Sequence, residues 1–153
     1  MIARFSIPTQ ILLGPGAVRE IPDLVRSMGC RRPLIVTDAG VVRVGLIDRV
    51  AGPLRDAGLS WAVFDGVHPN PAEEDVLSGL TAYRDGRCDL VLAVGGGSPL
   101  DAGKGIRLKV THPLPLEDYE AGRGGADRIG PDMPLMIAVP TTAGTGSEVG
   151  RSA

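Results

Sequence analysis

Asp89 to Val94 reads DLVLAV and runs without a break into Gly95-Gly96-Gly97-Ser98-Pro99. An apolar run with no polar alternation makes a poor half-exposed strand. It needs cover on both faces, which points to a parallel sheet between helices. Three other runs have a similar cast: Pro33 to Thr37 (PLIVT), Ser60 to Phe64, and Leu135 to Val139. Between them lie segments of helical period. Ala17, Val18, Ile21, Leu24, Val25 and Met28 form one, and Leu46, Ile47, Val50 and Leu54, closed by Gly58, form another. Asn70-Pro71-Ala72-Glu73 opens a third, carrying Val76, Leu77, Leu80 and Tyr83, and a fourth spans about Pro99 to Val110. Strands alternating with helices at this spacing predict an α/β domain, a mostly parallel sheet with helices on both faces. Residues 4–13 read as a short hairpin or two edge strands around Pro8-Thr9, and Glu117 to Pro134 as a polar loop.

The glycine run resembles nucleotide-phosphate loops without matching the common ones. A Walker A loop needs four residues between its glycine and Gly-Lys, then Ser or Thr for magnesium. From Gly97, Ser98 to Ala102 intervene before Gly103-Lys104, and Gly105 stands in the hydroxyl position. The Rossmann G-x-G-x-x-G pattern fails at Leu100. Glycines still let a backbone approach a ligand closely, and a helix start offers free N–H groups and a positive dipole end, so a phosphate is the natural guest. The alternative for Ser98-Pro99-Leu100-Asp101 is a capping box with proline at the first helical position.

Ligands of parallel sheets bind outside the carboxyl ends of the strands. Four such ends are polar here: Thr37-Asp38, His68-Pro69-Asn70, Gly95 to Ser98, and Thr141-Thr142. Asp38 suits a ribose diol or a helix N-cap, and Asn70 a ligand or an N-cap before Pro71. Thr145-Gly146-Ser147-Glu148 has the form of another capping box, and Lys104 reads as a solvated or strand-covering lysine. Composition removes other functions. The net charge is -2, basic residues are scattered singly, and 3% of residues are aromatic, which exclude a nucleic-acid surface. Cys30 and Cys88 give neither a disulfide framework nor a zinc pattern. No apolar run suits a membrane span or a signal peptide, so the cytoplasm is the expected address.

Taken together, AVGGGSPLDAGKGI and PTTAGTGSEV, with ILLGPGA, VTDAGV and VHPNP in order before them, resemble the iron-containing (group III) alcohol dehydrogenases. The resemblance covers nearly the whole chain. It implies a Rossmann-like (dehydroquinate synthase-like) N-terminal dinucleotide-binding domain, residues 1–153, truncated at its C-terminal end and without the family's helical C-terminal domain. Gly96, Gly97 and Ser98 would hold the pyrophosphate of NAD, and Asp38 the adenine ribose, against NADP. Asn70, Asp101, Thr141 and Thr142 would line the groove. The family reaction is hydride transfer between an alcohol carbon and the nicotinamide, with divalent iron or zinc held by an aspartate and three histidines of the helical domain. His68 and His112 lack the spacing of metal ligands, so neither catalytic nor metal residues are expected in this chain. The implied partners are a small alcohol or aldehyde and, at full length, further copies in a homo-oligomer. Lactaldehyde, 1,3-propanediol and 4-hydroxybutyrate chemistries are equally compatible. The alternatives are a stand-alone non-catalytic nucleotide-binding module and an inactive fragment.

Overall fold

A computed structural model describes residues 9–150. Four strands, β1 (Pro33–Val36), β2 (Ala62–Phe64), β3 (Leu90–Gly95) and β4 (Leu135–Pro140), form one sheet in the order β2-β1-β3-β4. Every pairing is parallel, with Leu34 beside Ala62 and Val91, and Val91 beside Met136. The helices are α1 (Ile21–Ser27), α2 (Ala39–Arg43), α3 (Leu46–Asp56), α4 (Glu73–Asp85) and α5 (Gly97–Thr111).

The strand period of two sorts the apolar side chains to two faces. Ile35, Leu90, Leu92 and Val94 pack with Ile21, Val25, Val41, Val50 and Leu54 of α1 to α3. Leu34, Val36 and Val91 pack on the other side with Val76 and Tyr83 of α4 and Ala102 and Ile106 of α5. All side chains of β1 and β3 are buried, as the unalternating runs require. The fold class is therefore the α/β sandwich expected.

Glycines inside helices explain how the second layer packs so closely. A Cβ on Gly103 would lie 3.0 Å from the Ala93 Cβ and 3.2 Å from Met136, and one on Gly105 would lie 2.8 Å from Val76. A Cβ on Gly79 would overlap Ile106. Each glycine costs helix propensity, about 1 kcal/mol relative to alanine, but lets α5 sit on β3 and β4 and against α4.

Several local expectations need correction. Residues 4–8 of the expected hairpin lie outside the described residues, and Thr9 to Leu13 form no strand. Gly16 and Gly45 take left-handed backbone before Ala17–Glu20, a 3-10 turn, and α3 respectively. The helix after Asn70 starts only at Glu73. Asn70 has φ 54, left-handed, so it turns the chain instead of capping, and the Asp75 carboxylate at the third helical position accepts the Ala72 N–H at 3.1 Å. α5 begins at Gly97 with no side-chain cap, so Ser98 is inside the helix and its capping box does not form. The polar loop contains three 3-10 turns, Leu116–Tyr119, Ala121–Arg123 and Gly125–Arg128. Buried Lys109 donates to the carbonyls of Pro113 (3.1 Å) and Leu114 (2.7 Å) and anchors the start of this segment. Among the described residues no helix is long and apolar enough to cross a membrane.

Candidate functional site

The strand order fixes where a ligand can enter. From β1 the chain moves outward to β2, then passes back over β1 to β3 and on to β4. The direction of winding thus reverses between β1 and β3, and the loops leaving these strands diverge to open a crevice there. Thr37-Asp38 forms one wall and Gly95 to Ser98 the other. The buried Thr37 hydroxyl donates to the Val94 carbonyl at 2.8 Å and ties the two walls at their base.

Asp38 caps α2. Its Oδ1 accepts the N–H groups of Gly40 (2.7 Å) and Val41 (2.9 Å), while Oδ2 has no hydrogen bond among the described residues. An isolated bridge to Gly66 binds the Asp38 loop to the loop after β2, which carries Asn70. The N-cap reading of Asp38 therefore holds, and the cap leaves the other carboxylate oxygen open to a donor. In the same loop the His68 Nδ1 lies 2.7 Å from Asp75 Oδ1. Burial alone would raise the pKa of Asp75, but the hydrogen bonds from the His68 ring, the Ala72 N–H and the His68 N–H outweigh it and hold the carboxyl below its ordinary value.

Across the crevice, α5 is a 15-residue helix whose first turn has no side-chain cap, so its leading N–H groups remain available to an anion. Gly95 has φ 151, and a Cβ there would strike Pro99 at 2.5 Å. The Thr141 N–H donates to the Gly95 carbonyl at 2.8 Å, extending the β3–β4 ladder by one rung. The chain then turns back over the glycines. A Cβ on Gly96 would sit 3.3 Å from Thr142 Oγ1, and one on Gly97 would sit 3.3 Å from Ser147 Oγ and 3.6 Å from Thr145. Part of the reason for glycine at 96 and 97 is this second turn, which sequence spacing did not reveal.

The second turn is half a capping box. Thr145 Oγ1 accepts the Ser147 N–H at 3.3 Å, but no helix follows within the described residues. Glu148 Oε2 is buried with no partner among the described residues. Ser147 Oγ instead donates to Asp101 Oδ2 at 3.2 Å, and Asp101 Oδ1 pairs with Lys104 Nζ at 2.9 Å. Thus Gly96, Gly97, Ser98, Thr141 and Thr142 meet at one strand edge with Asp38 facing them across the crevice. Asn70 stands farther out beyond β1, and Asp101 is turned to Ser147 and Lys104. Sequence reasoning named Thr37 only as part of a polar strand end and Ser147 only as a member of a capping box, and found neither side-chain contact.

A hollow of about 840 Å³ lies between α1 and α3, lined by Arg19, Asp23, Arg26, Arg49 and Asp56 among others. None of its lining residues comes from the loops that follow the strands, and Arg26 there donates to the Ala57 carbonyl at 2.6 Å. The strand edge has the converging donors, so the site is placed there. For a metal the residues do not fit: no group of three or more His, Cys, Asp or Glu among the described residues could hold one. His112 Nε2 accepts the Gly130 N–H at 2.9 Å, which leaves its proton on Nδ1 facing the Leu108 carbonyl at 3.2 Å.

Comparison with known proteins brings one family forward. The model of the iron-containing alcohol dehydrogenases matches residues 8–153. The 1,3-propanediol dehydrogenase of Klebsiella pneumoniae is 39% identical over 149 residues, 96% of this chain and 38% of that protein. The 4-hydroxybutyrate dehydrogenase of Cupriavidus necator is 45% identical over 145 residues, 95% of this chain and 37% of that protein. The sulfoacetaldehyde reductase of Bifidobacterium kashiwanohense, solved in complex with NAD+, superposes with a TM-score of 0.79 at 32% identity, covering 97% of this chain and 38% of its own. The chain spans little more than a third of the length of these relatives.

Proposed function

The chain belongs to the iron-containing alcohol dehydrogenase family, and on that premise we propose that residues 1–153 are the NAD-binding part of a metal-dependent alcohol dehydrogenase. The observation that carries this reading is the crevice at the reversal of strand order, with an open Asp38 oxygen on one wall and the uncapped start of α5 on the other. These groups match the two ends of an adenosine diphosphate: diol donors for a carboxylate, and an anion for N–H donors.

In this reading Asp38 Oδ2 accepts from the adenine ribose and repels the 2′-phosphate of NADP. The backbone at Gly96, Gly97 and Ser98 receives the pyrophosphate, and Asn70, Asp101, Thr141 and Thr142 flank the groove. The nicotinamide, when bound, supplies reversible hydride transfer. The substrate is a small alcohol or its aldehyde, supported by relatives named for 1,3-propanediol and 4-hydroxybutyrate. An iron or zinc ion would need ligands from outside the described residues, so no step is assigned to it here. At full length the proposed assembly is a homo-oligomer, and the cytoplasm is the proposed place of work.

Titration of the chain with NADH, followed by nicotinamide fluorescence, tests the reading. Saturable binding with clear preference over NADPH is expected. Absence of binding by either nucleotide would overturn it.

A further inference from the structure

Both carboxylate oxygens of Asp101 are engaged within the chain. One carboxylate oxygen is 2.9 Å from Lys104 Nζ and the other accepts from Ser147 Oγ at 3.2 Å. The two contacts differ in reach. Lys104 is one turn along the same helix, whereas Ser147 lies 46 residues away on the turn that folds over the phosphate-loop glycines. That side-chain bond is thus a tertiary tether between the first turn of α5 and the Thr141 to Ser147 segment.

The segment needs a tether. It follows β4 with no strand or helix of its own within the described residues, and it leads directly into Glu148, whose buried Oε2 has no partner there. Burying an unpaired carboxylate oxygen is costly. Against that stand the Thr141 N–H to Gly95 carbonyl bond at 2.8 Å, at the base of the turn, and the Ser147–Asp101 bond at its far end. A hydrogen bond to a charged acceptor is among the stronger kinds. Lys104, with its side chain 14% exposed, fixes the carboxylate that receives it.

We propose that Ser147, Asp101 and Lys104 form a latch that holds the second glycine-rich turn down on the first, and that Ser147 and Asp101 are positioning residues for the dinucleotide rather than ligands to it. This rests on the cofactor reading above. The latch closes over Gly97, where Ser147 Oγ and Thr145 stand 3.3 and 3.6 Å from the position of a Cβ. The geometry of the groove wall is then set by a bond that a nucleotide never touches.

The test compares wild type with Ser147→Ala and Ser147→Thr in the full chain, reading amide hydrogen exchange and NADH affinity together. Ser147→Ala should speed exchange at the Ser147, Val149 and Gly150 amides about tenfold relative to β3, the scale expected for losing one charge-assisted bond. Its NADH dissociation constant should rise at least about threefold, because only the closed turn is competent to bind. Ser147→Thr keeps the hydroxyl and should restore both. Unchanged exchange in Ser147→Ala would overturn the latch. Faster exchange with unchanged NADH affinity would overturn the positioning role. Faster exchange in Ser147→Ala together with a wild type that binds no NADH would overturn the cofactor reading and the positioning role with it. The latch itself would then stand apart from any nucleotide.

Discussion

The Thr37 hydroxyl donates to the Val94 carbonyl at 2.8 Å across the junction of β1 and β3, with Thr37 fully buried. This bond joins the strands at the point where their loops part, so the floor of the crevice is a side-chain contact and not only a backbone ladder. Thr37→Val keeps the shape but removes the donor. It should cost about 1–2 kcal/mol, the price of a lost buried hydrogen bond. Urea unfolding will give the stability, and NADH titration should show weaker binding as the walls separate. Stability within about 0.3 kcal/mol of wild type would mean the bond is replaceable.

Asp38 can be separated into its two tasks by substitution. Glycine is a tolerated N-cap, so Asp38→Gly should lower stability by only a few tenths of a kcal/mol. The open Oδ2 disappears in the same change. NADH binding should weaken while discrimination against NADPH relaxes. Unchanged selectivity would remove Asp38 from the ribose site and leave it as the cap of α2.

Gly97→Val tests the phosphate loop, with a consequence that only the structure reveals. The new side chain would press on Ser147 and Thr145 as well as on the anion position. Overpacking of this kind should cost about 1–3 kcal/mol, seen as a lower melting temperature, and NADH binding should be lost. Retained affinity would argue that the pyrophosphate lies elsewhere.

The sandwich was readable from the sequence because its strongest signals are local. PLIVT and DLVLAV lack alternation and must be covered on both faces, and helical periods fill the intervals between them. Boundaries were less readable. Asn70 looked like a cap because Pro71 and Glu73 stood at the right distances, yet its left-handed backbone makes it a corner, and Asp75 serves the helix start instead. The site was half readable for the same reason. Asp38, the glycines and Thr141-Thr142 each follow a strand and so fall on one edge by topology alone. The Asp101–Ser147 contact joins residues far apart in sequence, and no spacing rule announces a pairing of that kind. Nor did sequence separate the glycines of the loop from Gly103 and Gly105, which serve helix packing.

Asp75 should make stability depend on acid. Its folded pKa is lowered, so its contribution is fully present above the unfolded carboxyl value near 4 and is lost as pH falls through the folded value. Asp75→Asn should cost about 1 kcal/mol at pH 7, as for a lost helix-start acceptor. The gap to wild type should begin to narrow near the unfolded carboxyl value of about 4 and keep closing as pH falls through the lower folded value, where the native aspartate takes up its proton. Denaturant midpoints at pH 7 and pH 3 decide this; an equal gap at both would mean that the charge is not what the site uses.

Arg107 tests the cost of partly burying a guanidinium whose Nε has no partner among the described residues. Its Nε is buried with no hydrogen bond among the described residues, and burial lowers the pKa of the guanidinium, which disfavours its charged form. It stands one turn beyond Gly103, where an added Cβ would lie 3.0 Å from the Ala93 Cβ and 3.2 Å from Met136. Arg107→Met keeps a long unbranched side chain with good helix propensity and removes the desolvation penalty. The substitution should be neutral or stabilising by up to about 2 kcal/mol, since an apolar residue of similar reach often outperforms a poorly satisfied buried charge. Urea unfolding measures the change directly. A loss above about 1 kcal/mol would show that the guanidinium is paired in solution, because only a satisfied charge is missed when it is removed.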